Sequence, residues 1–101
     1  MKVFISQPMK GKTESEIKAQ RAEIESYARH KYGQDIEIID SYFEDYNPTN
    51  GCIPLKYLAK SIELLADADV AISSRDYKHG RGCFIEYCCA FDYDIRIDEM
   101  K

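Results

Sequence analysis

Short β-rich apolar runs alternate with segments of helical periodicity along this chain. The run KVFIS (2–6) is followed by a segment, 13–33, that has a capping box at Thr13 and Glu16, an apolar stripe and a terminal glycine. Strands separated by helices of this length require right-handed crossover connections, which place the strands in parallel. The alternation therefore predicts an α/β fold with a parallel sheet.

The same alternation continues to the end of the chain. Further strands are predicted over 35–40, 68–73 and 95–97, further helices over 54–67 and 83–93, and loops over 41–53 and 74–82. We expect one domain over 1–101, a small flavodoxin-like or Rossmann-like three-layer domain with a four-stranded parallel sheet in the order 2-1-3-4. Because so thin a sheet would gain from a partner subunit, we also expect a homo-oligomer, a dimer or larger.

Composition narrows the class of protein. The apolar fraction of 45% and the charged fraction of 32% are those of a globular domain, and the net charge of -4 argues against binding a nucleic-acid polymer. No run approaches the roughly 18 apolar residues of a membrane helix, and the N-terminus lacks a signal-peptide pattern. We therefore expect a cytoplasmic protein that does not bind a membrane.

The cysteines do not indicate a metal site. The chain has four of them and no C-x-x-C pair, and neither histidine lies in a ligand pattern with them. The triphosphate and dinucleotide motifs G-x-x-x-x-G-K-[ST] and G-x-G-x-x-G are absent. We expect no metal and no cofactor.

One carboxylate, Glu86, lies in the otherwise apolar run 83–91. Ionised carboxylates are rarely buried without a partner, and this one follows the loop after the predicted third strand. Ligands of open parallel sheets bind at the carboxyl ends of the strands, where the strand order reverses. Small residues one helical turn away, Gly82 and Ala90, would leave space above the carboxylate, which could then attack an electrophilic carbon. The alternative is that Glu86 caps the helix or accepts a backbone N–H.

Two loops at the same end of the sheet are basic. The stretch MKGK (9–12) carries two lysines, and RDYKHGRG (75–82) carries four basic side chains against one aspartate. Basic loops beside helix N-termini favour anions, so a phosphate-bearing small molecule is expected there. The alternative is a set of solvated loop side chains.

These residues resemble a known family. The stretches VFISQPMKG, ADVAIS and GCFIEYCCA are similar to the nucleoside 2-deoxyribosyltransferase superfamily, most closely to its short bacterial and phage branch. That superfamily also includes a 2'-deoxynucleoside 5'-phosphate N-hydrolase. The sharpest shared motif is G-x-x-x-E-x-x-x-A, at Gly82, Glu86 and Ala90.

The resemblance implies cleavage or transfer of an N-glycosidic bond in a (deoxy)nucleoside or nucleoside 5'-monophosphate, by a deoxyribosyltransferase or a deoxynucleotide N-glycosidase. Glu86 would be the nucleophile at the anomeric carbon. Asp40, near the end of the second strand, could contact a ribose hydroxyl, although such residues more often cap loops. With it, the residues expected to bind this small-molecule substrate, from the resemblance and from the loops described above, are Ser6, Gln7, Pro8, Met9, Lys10, Asp40, Asp69, Lys78, His79, Arg81 and Gly82.

The chain departs from the family pattern at three positions. Phe4 replaces a first-strand tyrosine, Gly80 replaces an aspartate, and Cys88 replaces a glycine. Without the tyrosine and the aspartate, protonation of the leaving base has no obvious donor, and the candidates to supply one are Asp76, Tyr77, His79 or a residue of another subunit. The alternative functions are a non-catalytic binder of a nucleotide-derived ligand, acting as a sensor or sponge, and a structural oligomer.

Overall fold

The computed structural model describes residues 1–43 and 45–100. Its helices and strands alternate along the chain. In order they are β1 (Lys2–Ser6), α1 (Glu14–Tyr32), β2 (Glu37–Ile38), α2 (Ile53–Leu65), β3 (Val70–Ser73), a 3₁₀ turn (Tyr77–His79), α3 (Arg81–Asp92) and β4 (Arg96–Glu99).

The four strands form one parallel sheet in the order β2-β1-β3-β4, which confirms the predicted fold and strand order. The central strands β1 and β3 pair along four residues, from Val3 opposite Val70 to Ser6 opposite Ser73. This pairing places the ends of β1 and β3 side by side, at the point where the strand order reverses.

The edge strand β2 is shorter than the predicted 35–40. It pairs with β1 only through Glu37 and Ile38, although the Ile39 N–H still donates to the Val3 carbonyl at 2.8 Å. The Ile39 carbonyl accepts a hydrogen bond from the Arg21 guanidinium of α1 at 3.0 Å. The chain therefore leaves the sheet where a helix side chain binds its backbone.

The other boundaries coincide with the predicted ones or differ from them by one or two residues. The helix α3 begins at Arg81 rather than residue 83, because the Gly80 carbonyl already accepts the Phe84 N–H at 3.0 Å. The strand β4 extends to Glu99 rather than residue 97, and the Met100 N–H donates to the Ser73 carbonyl at 3.0 Å.

Side chains alternate between the two faces of the sheet, and helices cover both faces, so the domain has three layers. Side chains of Val3, Ile5, Val70 and Ile72 form one core cluster with residues of α1. Phe4 and Ala71, on the other face, pack with residues of α2 and α3. Because α1 covers one face and the other two helices cover the second, the ends of β1 and β3 open toward the loops between these layers. Within the described ranges, none of the helices is both long and apolar enough to cross a membrane.

Candidate active site

A wide cleft of about 1230 Å³ lies beyond the carboxyl ends of β1 and β3. Its walls come from the loop after β1, from the chain between β2 and the middle of α2, and from the first turns of α3. Ligand sites of small molecules usually measure about 300–1,000 Å³, so this cleft can hold a ligand of nucleotide size.

Glu86 lies at the base of this cleft, in the second turn of α3. Its side chain is 8% exposed. The Ser6 hydroxyl, at the end of β1, donates to Glu86 Oε1 at 2.7 Å. Ser61 of α2 lies close enough to act on the pKa of the same carboxyl group. No lysine, arginine or histidine of the described residues forms an ion pair with it.

Burial raises the pKa of Glu86 from 4.5 to about 7, although the hydroxyls of Ser6 and Ser61 act in the opposite direction. A carboxyl group with this pKa exchanges its proton near neutral pH. It can serve as a nucleophile when ionised and as a proton donor when neutral.

The strand and helix periods explain how Glu86 and Ser6 meet. Phe4 and Ser6 point to the same face of β1, two residues apart, and this face is the one that α3 covers. On α3, the buried positions are Cys83, Glu86 and Ala90, which follow the helical spacing of three and four residues. The carboxylate therefore occupies a core position whose neighbour on the strand is a hydroxyl.

Two glycines shape the wall next to Glu86. A Cβ on Gly80 would lie 3.0 Å from Pro8 Cβ and 3.3 Å from Cys83 Sγ, so the loop after β1 and the start of α3 are in close contact there. A Cβ on Gly82 would meet only Leu58 Cδ1, at 3.8 Å. Gly82 thus leaves room in the cleft, whereas Gly80 is required by packing.

The basic side chains of the two loops divide into two groups. Lys10, His79 and Arg81 line the cleft, together with two acidic side chains, Glu14 and Glu86. The predicted binding residue Lys78 does not, because its ammonium lies 5.9 Å over the Tyr77 ring outside the cleft. The positive charge of the cleft therefore comes from Lys10 and Arg81 rather than from the whole cluster.

Two further basic residues bind carboxylates instead. Lys12 Nζ donates to Asp76 Oδ2 at 2.6 Å, and Arg75 forms an ion pair with Glu23 of α1. The Gln20 amide donates to Asp76 Oδ1 at 3.0 Å, so α1, the loop after β1 and the loop after β3 meet at one carboxylate. This network holds the two loops of the cleft together.

Two of the three candidate proton donors are not at the cleft. Burial opposes ionisation of Asp76, but the hydrogen bonds from Lys12, Ser74 and Gln20 prevail and lower its pKa to about 2. The Tyr77 hydroxyl donates to Glu99 Oε1 at 3.2 Å. His79 is the member of the three that lines the cleft.

The aromatic residues of the loop after β2 form a packed group. The Phe43 ring stacks on Tyr57 of α2 with centroids 5.7 Å apart, and Tyr46 contacts both rings edge-on. The Tyr57 hydroxyl donates to the Tyr46 carbonyl at 2.6 Å, which fixes the loop to the helix. Tyr42, Phe43 and Tyr57 face the cleft, whereas Tyr46 does not.

Two predicted binding residues lie elsewhere. Asp69 precedes β3, at the amino end of the sheet, where its carboxylate accepts the Lys2 N–H at 2.6 Å. Parallel strands expose their carboxyl ends on the opposite side, so Asp69 cannot reach this cleft. Asp40 is exposed, does not line the cleft and accepts the Tyr42 N–H at 3.2 Å, as a loop cap does.

The remaining predicted residues are brought together. Glu86, Gln7, Pro8, Met9, Lys10, His79, Arg81 and Gly82 line the cleft, and Ser6 contacts it through Glu86. Ser61, which lies near Glu86, was not predicted from its pattern. Its signal is a hydroxyl on the apolar face of α2, three residues after Leu58 and four before Leu65.

The environment of Cys83 indicates a packing role rather than a chemical one. Burial raises the pKa of Cys83 to about 12, so this thiol next to Ser6 stays protonated. Among the residues that the structure describes, no group of three His, Cys, Asp or Glu side chains is arranged to hold a metal ion.

Comparison with known proteins adds no relative. No family model matches the chain, and neither a curated protein nor a solved structure is similar to it.

Proposed function

We propose that this chain cleaves, or transfers, the N-glycosidic bond of a (deoxy)nucleoside or nucleoside 5'-monophosphate, with Glu86 as the nucleophile. The observation that carries the proposal is a buried carboxylate at the base of a cleft of nucleotide size, bound by the Ser6 hydroxyl and without an ion-pair partner among the described residues. A carboxylate with a purely structural role would be expected to have a cationic partner. The resemblance to the nucleoside 2-deoxyribosyltransferase superfamily points to the same residue.

The chemistry takes two displacements. In the first, a Glu86 oxygen bonds to the anomeric carbon while the bond from that carbon to the base nitrogen breaks, and the base leaves with the electron pair and takes up a proton. In the second, water or another base attacks the same carbon and releases the carboxylate. Ser6 binds Oε1, and in this proposal the attacking oxygen is Oε2. Ionisation of Glu86 is needed for the first step, and a pKa of about 7 keeps a large share of it ionised at neutral pH.

Side chains of the cleft are available for the rest of the substrate. Lys10 and Arg81 line the same opening as His79 and carry the positive charge that a 5'-phosphate would need. His79 is our candidate for the donor of the proton to the leaving base, because imidazole exchanges protons near neutral pH. Tyr42 offers a ring to stack on the base.

A binder without turnover is the second candidate. It is favoured by the position of Asp76, which is ionised and tied to Lys12 instead of facing the cleft. In this case Glu86 would contact a sugar hydroxyl, and the ligand would be a nucleotide-derived molecule.

The test is base release from a panel of deoxynucleosides, nucleosides and their 5'-monophosphates, followed by chromatography. Wild type is compared with Glu86→Gln and with Glu63→Gln, a matched change of an exposed carboxylate on α2. The proposal predicts release by wild type and Glu63→Gln and none by Glu86→Gln. Ligand-induced thermal shifts without base release from any compound would establish the binder instead.

A further inference from the structure

The outer edge of β4 is open. This strand is the last in the sheet order, and the Met100 N–H that follows it donates inward to the Ser73 carbonyl of β3. Backbone groups alternate along a strand, so the N–H and C=O of Ile97 and Glu99 point outward. Among the residues that the structure describes, no strand lies beyond this edge. An open edge of this kind is a template for another strand.

The helix next to this edge exposes aromatic side chains on the same side. On α3, Gly82 faces Leu58 of α2, and the residues on the opposite side of the helix are Phe84, Tyr87 and Phe91. Phe84 is 53% exposed and Phe91 is 68% exposed. Since α3 packs on β3 and β4, these rings project on the side of the open strand. We call the three rings and the outer edge of β4 the α3–β4 flank.

We propose that the α3–β4 flank binds a second copy of this chain, by antiparallel pairing of the two β4 strands about a twofold axis at Ile97. In this register the outward N–H and C=O of Ile97 pair with the same groups of the partner's Ile97. The Glu99 N–H then meets the carbonyl of the partner's Ile95. The result is one continuous eight-stranded sheet with the two α3 helices side by side.

The charges of β4 favour this register. Arg96 and Asp98 lie on the α1 face of the strand, where the Arg96 guanidinium is 5.3 Å from the Tyr32 ring and Asp98 Oδ2 accepts the Tyr32 hydroxyl at 2.6 Å. With the axis at Ile97, each Arg96 stands opposite the partner's Asp98, in a pair of opposite sign that occurs twice. An axis at Asp98 or at Glu99 would place a carboxylate opposite its own copy.

The exposed rings of this flank add apolar area to the open strand edge. Phe84 and Phe91 are 53% and 68% exposed. Aromatic side chains have surfaces of about 150–250 Å² each, so these two expose on the order of 240 Å² in each copy. Two copies together bring on the order of 500 Å² of aromatic surface to the interface, in addition to the backbone pairing of the strands.

Sedimentation velocity over a range of concentrations tests this inference. We expect wild type to dimerise, and Phe91→Glu and Arg96→Glu each to weaken the dimer by at least about tenfold, since both place a carboxylate in the interface. The controls are Leu55→Glu, which changes an apolar side chain 59% exposed on α2, and Arg96→Lys, which keeps the charge. Both are expected to dimerise like wild type, and circular dichroism monitors the fold of each variant.

Amide exchange identifies the interface. In the dimer the Ile97 and Glu99 amides, which point outward in the single chain, are expected to become protected as concentration rises. A wild type that stays monomeric at every accessible concentration would overturn the inference. So would a dimer in which these two amides exchange rapidly, or one that Phe91→Glu and Arg96→Glu leave intact.

Discussion

Replacing Glu86 with glutamine is expected to stabilise the fold, and to do so mainly at neutral and alkaline pH. Glutamine keeps the length of the side chain and an oxygen that can accept the Ser6 hydroxyl, which lies 2.7 Å from Oε1. It removes the charge that burial disfavours. The variant therefore isolates the free energy of ionising one buried carboxyl group.

The magnitude follows from the two pKa values. Glu86 titrates at about 7 in the folded protein and is expected near its ordinary value of 4.5 in the unfolded chain. Between these values the folded state binds the proton more strongly, so the free energy of unfolding falls as pH rises. The stabilisation from protonation is fully present below pH 4.5 and is lost as pH rises through about 7. At 1.36 kcal/mol for each pKa unit, the loss is about 3 kcal/mol.

Urea denaturation of wild type, Glu86→Gln and the exposed control Glu63→Gln, at pH 5 and pH 8.5, measures this difference. At pH 8.5 the midpoint of Glu86→Gln is expected to lie roughly 1–3 M above that of wild type, and at pH 5 the two are expected to be close. Glu63→Gln is expected to follow wild type at both values. A difference that does not change with pH, or a less stable Glu86→Gln at pH 8.5, would refute the reasoning.

Three further changes test other contacts. Ser6→Ala removes a hydroxyl that favours the charged carboxylate and is expected to raise the pKa of Glu86, which carboxyl ¹³C NMR measures; an unchanged titration would contradict this. Gly80→Ala is expected to destabilise the protein by about 1–3 kcal/mol, because the new Cβ would lie 3.0 Å from Pro8 Cβ. Gly82→Ala is the control, because its Cβ has space and the change should be neutral or stabilising. Thermal melting of the two variants measures the difference. Asp98→Asn removes the charge of a carboxylate that accepts hydrogen bonds from two tyrosines and pairs with a lysine. We expect the free energy of unfolding at pH 7 to fall by about 1–3 kcal/mol. Because hydrogen bonds lower the pKa of Asp98 despite its burial, this loss should shrink as pH falls through the pKa in the folded protein.

Local sequence patterns predicted the helices and strands because local contacts determine where most of them begin and end. Thr13 and Glu16 form the capping box read from the sequence, with the Thr13 N–H donating to Glu16 Oε1 at 2.9 Å and the Glu16 N–H donating to Thr13 Oγ1 at 3.2 Å. The strand order is the one expected of a small doubly wound domain with right-handed crossovers. The length of β2 was not predicted, because it depends on a side-chain contact, that of Arg21 of the preceding helix α1 with the Ile39 carbonyl.

The part of the site that lies at the end of a strand or the start of a helix could be predicted from the sequence. Ser6 and Glu86 lie on elements whose ends meet by topology, so sequence order sufficed to bring them together. Asp69 was assigned by resemblance, and its position before β3 places it at the wrong end of the sheet. Ser61 required knowledge of which turn of α2 passes over Glu86, and side-chain packing alone determines that.

The configuration at the anomeric carbon tests the central claim most directly. Wild type would be incubated with the best substrate of the panel in buffer containing methanol, and the methyl glycoside would be identified by ¹H NMR. A covalent bond to Glu86 predicts the methyl β-glycoside, with the configuration of the substrate retained, and no product from Glu86→Gln. The methyl α-glycoside, or equal product from Glu86→Gln, would contradict a nucleophilic Glu86.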